Sequence, residues 1–341
     1  MDGPFTSVAP ARLYAFLLKL RPLKAGTLMP FSGELVHGAW LHWLRCAAPD
    51  VAAWLHDGNR RRFFTCSSLQ FPLSPQRTLE VERENVHLPL DPEKTYTVRI
   101  TLLLGELFPL FYDALMRFNT TETGVGKAPF MQIGKQLFWL EEVVLNNDDL
   151  SGWTGFTSLS AMVEKTKRLH LSDVQPLTLD FASLTTFNRS NIRSRNYGPH
   201  HARLPLPDYV FSGLVRRWED VAPPELVNVV QKEHIEEYIQ DDGMIIVDYN
   251  LKTHRLKFTT HQQQGFIGQC KYHLRSSGEE STLYSSLTVR QQILLLAQLA
   301  FYCGVGYKTS MGMGRVRPLE ILQLTREGLE LKMPHKHLLA N

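Results

Sequence analysis

Cysteine is scarce in this sequence, and the four that occur form neither a C-x-x-C pair nor the spacing of a zinc site. They lie singly among apolar residues, at Cys46, Cys66, Cys270 and Cys303. This pattern excludes a disulfide framework and is typical of buried thiols in a reducing compartment. The H-E-x-x-H motif and paired acidic clusters are also missing. We therefore expect no metal site and no cofactor.

Long apolar runs and a secretion signal are lacking too. The longest uncharged apolar stretch, Ile293 to Gly306, is too short to span a bilayer. The N-terminal residues MDGPFTSVAPAR contain no basic segment followed by an apolar run. We expect a cytoplasmic protein without a membrane partner. The net charge is only +3, with 37 Lys and Arg against 34 Asp and Glu, so an acidic partner is permitted but not demanded.

Two common phosphate-binding motifs are absent as well. In "GVGYKTSMGMGRVR", residues 304–317, Thr309 stands where a dinucleotide fingerprint needs its third glycine, and the loop follows a predicted helix instead of opening one. The stretch at 124–127 resembles the end of a Walker A loop, but Thr121 and Ala128 occupy required positions. The sequence therefore does not support a nucleotide-binding enzyme of either class.

The chain contains enough apolar residues for two packed cores, since it has 341 residues and 43% of them are hydrophobic. Alternation over Arg12–Leu20 predicts a first strand, and a helix follows from about Glu34 with Ser32 as its cap. Further strands are predicted at Phe63–Phe71, Tyr96–Leu104 and Gln136–Leu145, and a second helix at Leu107–Phe118. The order β-α-β-β-α-β is that of a ferredoxin-like unit, with both helices on one sheet face and the other face free to bind.

The second half of the chain repeats this order. Strands are predicted at Leu177–Phe181, Gly268–Leu274 and Arg315–Leu322, with a strand pair at Met244–Leu251 and Arg255–Thr260 and helices at Val210–Val221 and Val289–Cys303. We predict an α+β protein of two tandem ferredoxin-like domains with antiparallel sheets, RRM-like in topology. The expected limits are 1–149 for the first domain, 150–174 for a connecting segment and 175–341 for the second domain.

The glycine-rich loop at 304–314 is the strongest candidate binding feature. Glycines let a backbone approach a ligand closely, so successive amides can converge on phosphate oxygens while nearby cations add charge. We predict RNA contacts from Gly304, Gly306, Lys308, Thr309, Ser310, Gly312, Gly314 and Arg315. A second interpretation stays open, in which Gly304 and Gly306 end the preceding helix and Gly312 and Gly314 form a tight hairpin.

Several stretches together resemble one family, the CRISPR-associated endoribonucleases of the RAMP superfamily that cut precursor CRISPR RNA at its repeats. The resemblance is carried by "GVGYKTSMGMGRV", by "GFIG" at Gly265–Gly268 and by "TLDFASLTTF" at Thr178–Phe187. Near the start of the chain, "LVHGAW" and "LHDGNRRRFFTCSSL" are similar to the family's N-terminal region. The resemblance implies two ferredoxin-like domains, a prokaryotic cytoplasmic protein and CRISPR repeat RNA as the partner.

The chemistry that the resemblance implies is attack by the substrate's own 2′-hydroxyl, without a metal. It gives a 5′-hydroxyl and a 2′,3′-cyclic phosphate, and it needs proton transfer and charge stabilisation. His37 in "LVHGAW" matches the family's catalytic histidine, near a helix N-terminus where a phosphate is favoured, and Gly38 leaves room for RNA. His42 is its rival and lies about 140° around the helix. A partly buried histidine that bonds a backbone carbonyl is the alternative interpretation of His37.

Clusters of arginine add candidate phosphate contacts. They lie at Arg60–Arg62, at Arg216 and Arg217, and in "NRSNIRSR", from which we select Arg193 and Arg195 as RNA-binding residues. A solvated charged surface is the competing interpretation of each cluster.

Besides the nuclease, a second function stays open: a non-catalytic RAMP subunit that binds CRISPR RNA in an effector complex of other CRISPR-associated proteins. A homodimer is left open too, whereas the signature of an unrelated RRM protein is missing.

Overall fold

The structure, a computed structural model, describes residues 11–57, 62–119, 130–145, 152–189, 200–278 and 285–319. The helices are α1 (Gly33–Ala47), α2 (Pro49–His56), α3 (Pro75–Glu84), α4 (Leu107–Asn119), α5 (Leu159–Lys167), α6 (Pro207–Val221), α7 (Pro224–Val227), α8 (Lys232–Gln240) and α9 (Val289–Cys303), with a 3₁₀ turn at Thr309–Met311. The strands are β1 (Arg12–Pro22), β2 (Gly26–Leu28), β3 (Phe64–Cys66), β4 (Leu88–Leu90), β5 (Tyr96–Leu102), β6 (Phe130–Ile133), β7 (Gln136–Val144), β8 (Gly155–Ser158), β9 (Val174–Thr185), β10 (Phe187–Arg189), β11 (His200–Ala202), β12 (Met244–Lys257), β13 (Gln262–Arg275) and β14 (Val316–Pro318). None of the helices in these ranges is long and apolar enough to cross a bilayer.

The first sheet has the order β3-β5-β1-β7-β6, and β8 pairs with the beginning of β1. Every neighbouring pair is antiparallel. Strand β5 therefore lies between β1 and β3, which run parallel to each other and are connected through α1 and α2. This is the split β-α-β arrangement of the ferredoxin-like fold.

Helices α1 and α4 cover one face of this sheet and form the first core. The Phe16 ring on β1 lies 6.3 Å from the Trp40 ring on α1 and 4.9 Å from the Phe111 ring on α4. All three side chains are almost completely buried. Burial of one such side chain stabilises the fold by about 1.5–3 kcal/mol, so this aromatic contact fixes both helices on the sheet.

The second sheet repeats the topology with the order β12-β13-β9-β14, again antiparallel throughout. Strand β13 lies between β9 and β12, and α6 is part of the connection between those two strands. The predicted α+β class with tandem ferredoxin-like domains is confirmed. The domain limits given above stay a prediction.

The end of α9 packs on the first sheet, so the expectation that this sheet's second face stays free is wrong at that place. The Thr101 hydroxyl on β5 donates to the carbonyl of Tyr302 at 2.6 Å. The Arg99 guanidinium, only 3% exposed, donates to the carbonyls of Phe301 at 2.8 Å and Trp153 at 2.7 Å. The last carbonyls of a helix have no hydrogen-bond donors within the helix. At the end of α9 the donors are Thr101 and Arg99 of the first domain.

Three local expectations are corrected. The pair Met244–Leu251 and Arg255–Thr260 is one strand, β12, because its pairing with β13 runs without interruption from Asp248 to Lys257, after a register shift between Ile246 and Asp248. Phe63–Phe71 forms only the short β3 and an isolated bridge at Gln70. Between them side-chain bonds interrupt the ladder, because the Leu69 N–H donates to the Ser32 hydroxyl and the Arg99 N–H donates to the Ser67 hydroxyl. Ser32 precedes α1, but its hydroxyl accepts from the backbone N–H of Leu69 and does not cap the helix.

Candidate nucleic-acid interface

Residues 304–314, the glycine loop, form a turn that is hydrogen-bonded to the end of β9 and to the residue after it. Backbone hydrogen bonds join Val305 N to Gly314 O at 2.8 Å, Tyr307 N to Thr186 O at 2.9 Å and Gly314 N to Leu184 O at 2.9 Å. A Cβ atom on Gly314 would lie 2.1 Å from the Val305 carbonyl. No side chain fits at such a distance. The packing of the loop itself therefore requires glycine at position 314.

The loop docks on the N-terminal end of α1. A Cβ atom on Gly33 would lie 2.1 Å from the Met311 carbonyl, so loop and helix are in backbone contact. Glu34 in the first turn of α1 accepts hydrogen bonds from the backbone N–H and hydroxyl of Thr259, which follows β12. Burial raises the pKa of Glu34, but these bonds and the Lys308 charge outweigh it and hold the pKa below its ordinary value. The second domain therefore surrounds the start of α1.

His37 lies at this junction. Its Nδ1 atom is 2.9 Å from the carbonyl oxygen of Ser310 in the glycine loop, although 273 residues separate the two in sequence. The ring stacks on Phe64 with centroids 5.4 Å apart, and the side chain is 7% exposed. Burial lowers the pKa of His37, since the hydrogen bond to Ser310 only partly offsets it and the charge of Arg62 lowers the pKa further.

These contacts define the protonation state of the ring. A carbonyl can only accept, so Nδ1 of His37 must carry the hydrogen. Because the lowered pKa keeps the ring neutral near pH 7, the Nε2 atom then holds a lone pair. Within the described part of the chain, Nε2 has no hydrogen-bond partner. The same geometry fits both a buried structural histidine and a general base oriented by a carbonyl.

The surface next to His37 is open. Gly38 is exposed, and a Cβ atom placed on it would meet no atom within 4 Å. The rival His42 is also exposed, but it lies on a different side of α1 and accepts a hydrogen bond from Arg45 at 3.1 Å. The two histidines therefore do not share one site, as their spacing predicted.

Lys308 is the cation of the glycine loop, and its charge acts on Glu34 in the first turn of α1. It occupies the left-handed backbone region, with φ of 56°, and its ammonium donates to Nε2 of His261 at 3.0 Å. The ammonium also lies 4.0 Å from the centre of the Phe258 ring. Burial lowers the pKa of Lys308, and the charge of Glu34 raises it in part. His261 had no local sequence signal, because its position depends on the turn between β12 and β13.

The other predicted RNA-binding residues are placed differently. Thr309 and Ser310 are each 7% exposed. The Arg315 guanidinium lies over Trp153, 4.7 Å from the centre of the ring. Burial, and then the charge of Arg317, lower the pKa of Arg315 to about 10. Arg193 and Arg195 fall outside the described residues, so their role stays a prediction.

A cleft of about 550 Å³ separates the glycine loop from α6. Residues 304–311 line one side, and residues 208–217 of α6 line much of the other. Arg62, Arg216 and Arg217 all line this cleft, although they come from two separate sequence clusters. The Arg217 guanidinium donates to the Arg62 carbonyl at 2.9 Å, which fixes these two segments together. Arg60 and Arg61 lie outside the described residues.

One known protein family matches the part of the chain that contains the glycine loop. Residues 179–316 match the CRISPR-associated endoribonuclease Cas6 family. The matched segment contains Gly265–Gly268, which lie within β13, and the glycine loop, but it does not reach His37. The family resemblance predicted from the sequence is confirmed. No curated protein matches the chain in sequence.

Solved Cas6 structures share the fold over most of the chain. A Cas6 product complex superimposes with a TM-score of 0.66 at 23% identity and covers 91% of this chain and 100% of its own. Thermus thermophilus Cas6 gives 0.59 at 22% identity, with 92% and 100% covered. A Cas6 complex with a substrate mimic gives 0.56 at 21% identity, with 91% and 100% covered. These similarities show a common two-domain architecture.

Proposed function

We propose that this chain, whose residues 179–316 match the CRISPR-associated endoribonuclease Cas6 family, acts as a member of that family and cuts precursor CRISPR RNA within the repeats by attack of a ribose 2′-hydroxyl. The observation that carries the proposal is the bond from His37 Nδ1 to the Ser310 carbonyl, which orients a neutral imidazole beside the glycine loop. CRISPR RNA processing is the activity of the family. The mechanism and the residues are our proposal.

In the proposed reaction His37 is the general base. Its Nε2 takes the proton of the 2′-hydroxyl, the 2′-oxygen bonds to the adjacent phosphorus, and the bond to the 5′-oxygen breaks. The upstream fragment keeps a 2′,3′-cyclic phosphate, and the leaving oxygen gains a proton from solvent and ends as a 5′-hydroxyl. Atoms and charge balance without an added co-reactant. A positioned base of this kind contributes about 10²–10⁴-fold in rate.

Charge stabilisation comes from the elements around His37. The phosphorane carries more negative charge than the phosphodiester, so cations and amides aimed at it lower the barrier. Arg62 is near enough for its charge to lower the pKa of His37, and Lys308 lies in the loop that His37 contacts. The start of α1 adds its partial positive charge. The RNA then continues along the cleft lined by Arg216 and Arg217.

A non-catalytic subunit that binds CRISPR RNA is the second candidate. Two observations favour it: His37 is buried with one nitrogen bonded to a carbonyl, as a structural histidine would be, and no second proton-transfer residue is assigned. Both candidates predict RNA binding in the cleft. They differ in whether the RNA is cut.

Purified protein incubated with CRISPR repeat RNA from its own genome should cut the RNA within each repeat, also in the presence of EDTA. The described residues contain no group of three or more His, Cys, Asp or Glu able to hold a metal ion, and EDTA tests directly whether the reaction uses one. End-group analysis should find a 5′-hydroxyl and a 2′,3′-cyclic phosphate. Tight binding without any cut would support the non-catalytic subunit, whereas cutting that stops in EDTA would contradict the proposed chemistry.

Replacing Lys308 by asparagine should weaken RNA binding without strong dependence on sequence. Asparagine tolerates the left-handed backbone region better than most residues, so Lys308→Asn removes the charge without forcing a change in the loop. The plot of log affinity against log salt should become shallower by about 0.7–0.9, the value of one phosphate contact. Binding measured at several salt concentrations tests this.

The control is Lys94→Ala, which removes an exposed lysine that pairs with Asp91 in the turn before β5. Its affinity and salt slope should equal those of the wild type. If Lys308→Asn gives the same slope as Lys94→Ala, Lys308 makes no phosphate contact.

A further inference from the structure

Helix α6 carries a glycine that the protein's own packing does not require. Gly213 lies in the interior of α6 and is exposed, and a Cβ atom built on it would meet no atom within 4 Å. Its backbone is not among the positive-φ positions. Glycine inside a helix destabilises it relative to alanine. Gly213 lines the cleft, so the open space above it faces the glycine loop.

Two other side chains share this face of α6. Tyr209, Gly213 and Arg216 lie at positions i, i+4 and i+7, a spacing that places them along one stripe about 10 Å long. All three line the cleft. The Tyr209 ring packs against Phe187 with centroids 5.8 Å apart, so it is held in place. Arg216 is exposed at the other end of the stripe.

Resting on the RNA-cutting function proposed above, we propose that this stripe of α6 is a subsite for one unpaired nucleotide of the RNA. The ribose crosses Gly213, where the missing side chain lets it approach the helix. Its phosphate meets Arg216, and its base lies against Tyr209. An unpaired base is required, because only unstacked bases offer a face to an aromatic side chain.

The charges in the cleft determine which end of the stripe the phosphate of the nucleotide occupies. Asp208 is exposed, lines the cleft and lies at the Tyr209 end of the stripe. Its carboxylate repels a phosphate, while Arg216 and Arg217 at the other end attract one. The exposed amide of Asn188 also lines the cleft and can bond to a base edge.

A size series at Gly213 tests the close approach. Gly213→Ala should raise the thermal midpoint by about 1–3 °C, because the helix gains stability, and should weaken binding of the repeat RNA. Gly213→Leu should raise the dissociation constant by about 5- to 100-fold, the effect of filling a close contact. Arg216→Ala should lower affinity in the wild type but add little in the Gly213→Leu background, since both residues contact one nucleotide.

The matched control is Glu219→Leu, at an exposed position of the same helix outside the cleft. It should bind RNA like the wild type. If the Gly213 variants are folded and also bind like the wild type, the subsite does not exist. Cutting is followed separately on unmodified RNA. Wild-type protein that binds but does not cut would overturn the proposed nuclease, whereas the Gly213 series would still decide the subsite from binding alone.

An abasic scan of the repeat RNA identifies the nucleotide. At one unpaired position, loss of the base should weaken wild-type binding by about 5- to 100-fold. Tyr209→Leu, which keeps an apolar contact with Phe187, should lose affinity for intact RNA but not for that abasic RNA. Tyr209→Phe should restore binding, because it restores the ring. If Tyr209→Leu binds intact RNA like the wild type, or weakens every RNA of the scan to the same degree, the base does not lie on Tyr209.

Discussion

An RNA with a single 2′-deoxyribose just upstream of the cut is expected to bind normally and to remain whole. The proposed nucleophile is the substrate's own 2′-oxygen, so its removal leaves the histidine and the cations in place with no attacking atom. No loss of affinity is expected from the phosphate contacts, because they do not involve that hydroxyl. The result should therefore be complete loss of product. Gel analysis of end-labelled RNA and a binding titration with the same RNA measure both quantities.

The control RNA carries the deoxyribose one nucleotide downstream of the cut, where the sugar supplies the leaving oxygen but not the nucleophile. It should be cut at the same bond. If the upstream-modified RNA is also cut there, the attacking oxygen comes from water, and the role of His37 would have to be a different one.

Local sequence signals predicted the elements that depend on neighbouring residues. Helix α9 occupies Val289–Cys303 as predicted, because apolar residues recur at helical spacing between Thr288, which caps it, and Gly304, which ends it. Strand β1 was predicted from its alternation. Strands β9 and β13 extend beyond their predicted ends, since strand length depends on the partner strand and not only on the segment itself.

The assembly of the candidate site could not be derived from local patterns. The contact of His37 with Ser310 joins the first domain to the last loop. The domain packing brings Arg62 into contact with Arg217, although these belong to clusters that the sequence shows as unrelated. The family resemblance indicated His37 and the glycine loop separately. Only the domain packing shows that they meet.

Arg315 illustrates how composition alone can mislead. Its place beside two glycines and a second arginine predicted a phosphate contact, but its guanidinium and that of Arg317 both lie over Trp153, at 4.7 and 4.5 Å. A cation over an indole ring is a stabilising contact of its own. Trp153 is distant in sequence, so no local pattern could show this partner. The role of Arg315 in RNA binding stays a prediction, with a structural alternative beside it.

Replacing His37 should slow the cut by about 10²–10⁴-fold while RNA affinity stays near the wild-type value, because a general base acts in the transition state more than in binding. Wild-type activity should rise with pH with a midpoint below 6.5, since burial lowers the pKa of His37 from that value and the neutral ring is the active form. Single-turnover rates between pH 4.5 and about 8 measure this profile, and a variant without the imidazole should lack the inflection.

The choice of substitution separates chemistry from folding. His37→Ala leaves the Ser310 carbonyl without its partner, which costs about 1–3 kcal/mol of stability, so a slow variant could simply be less well folded. His37→Asn keeps an N–H donor for that carbonyl and removes the base. It should be close to the wild type in thermal midpoint and RNA affinity, and as slow as His37→Ala. His42→Ala, on the other side of α1, should cut at the wild-type rate. If His37→Asn is fully active, or if only His42→Ala loses activity, His37 is not the general base. Its hydrogen bond to the Ser310 carbonyl would then have a structural role.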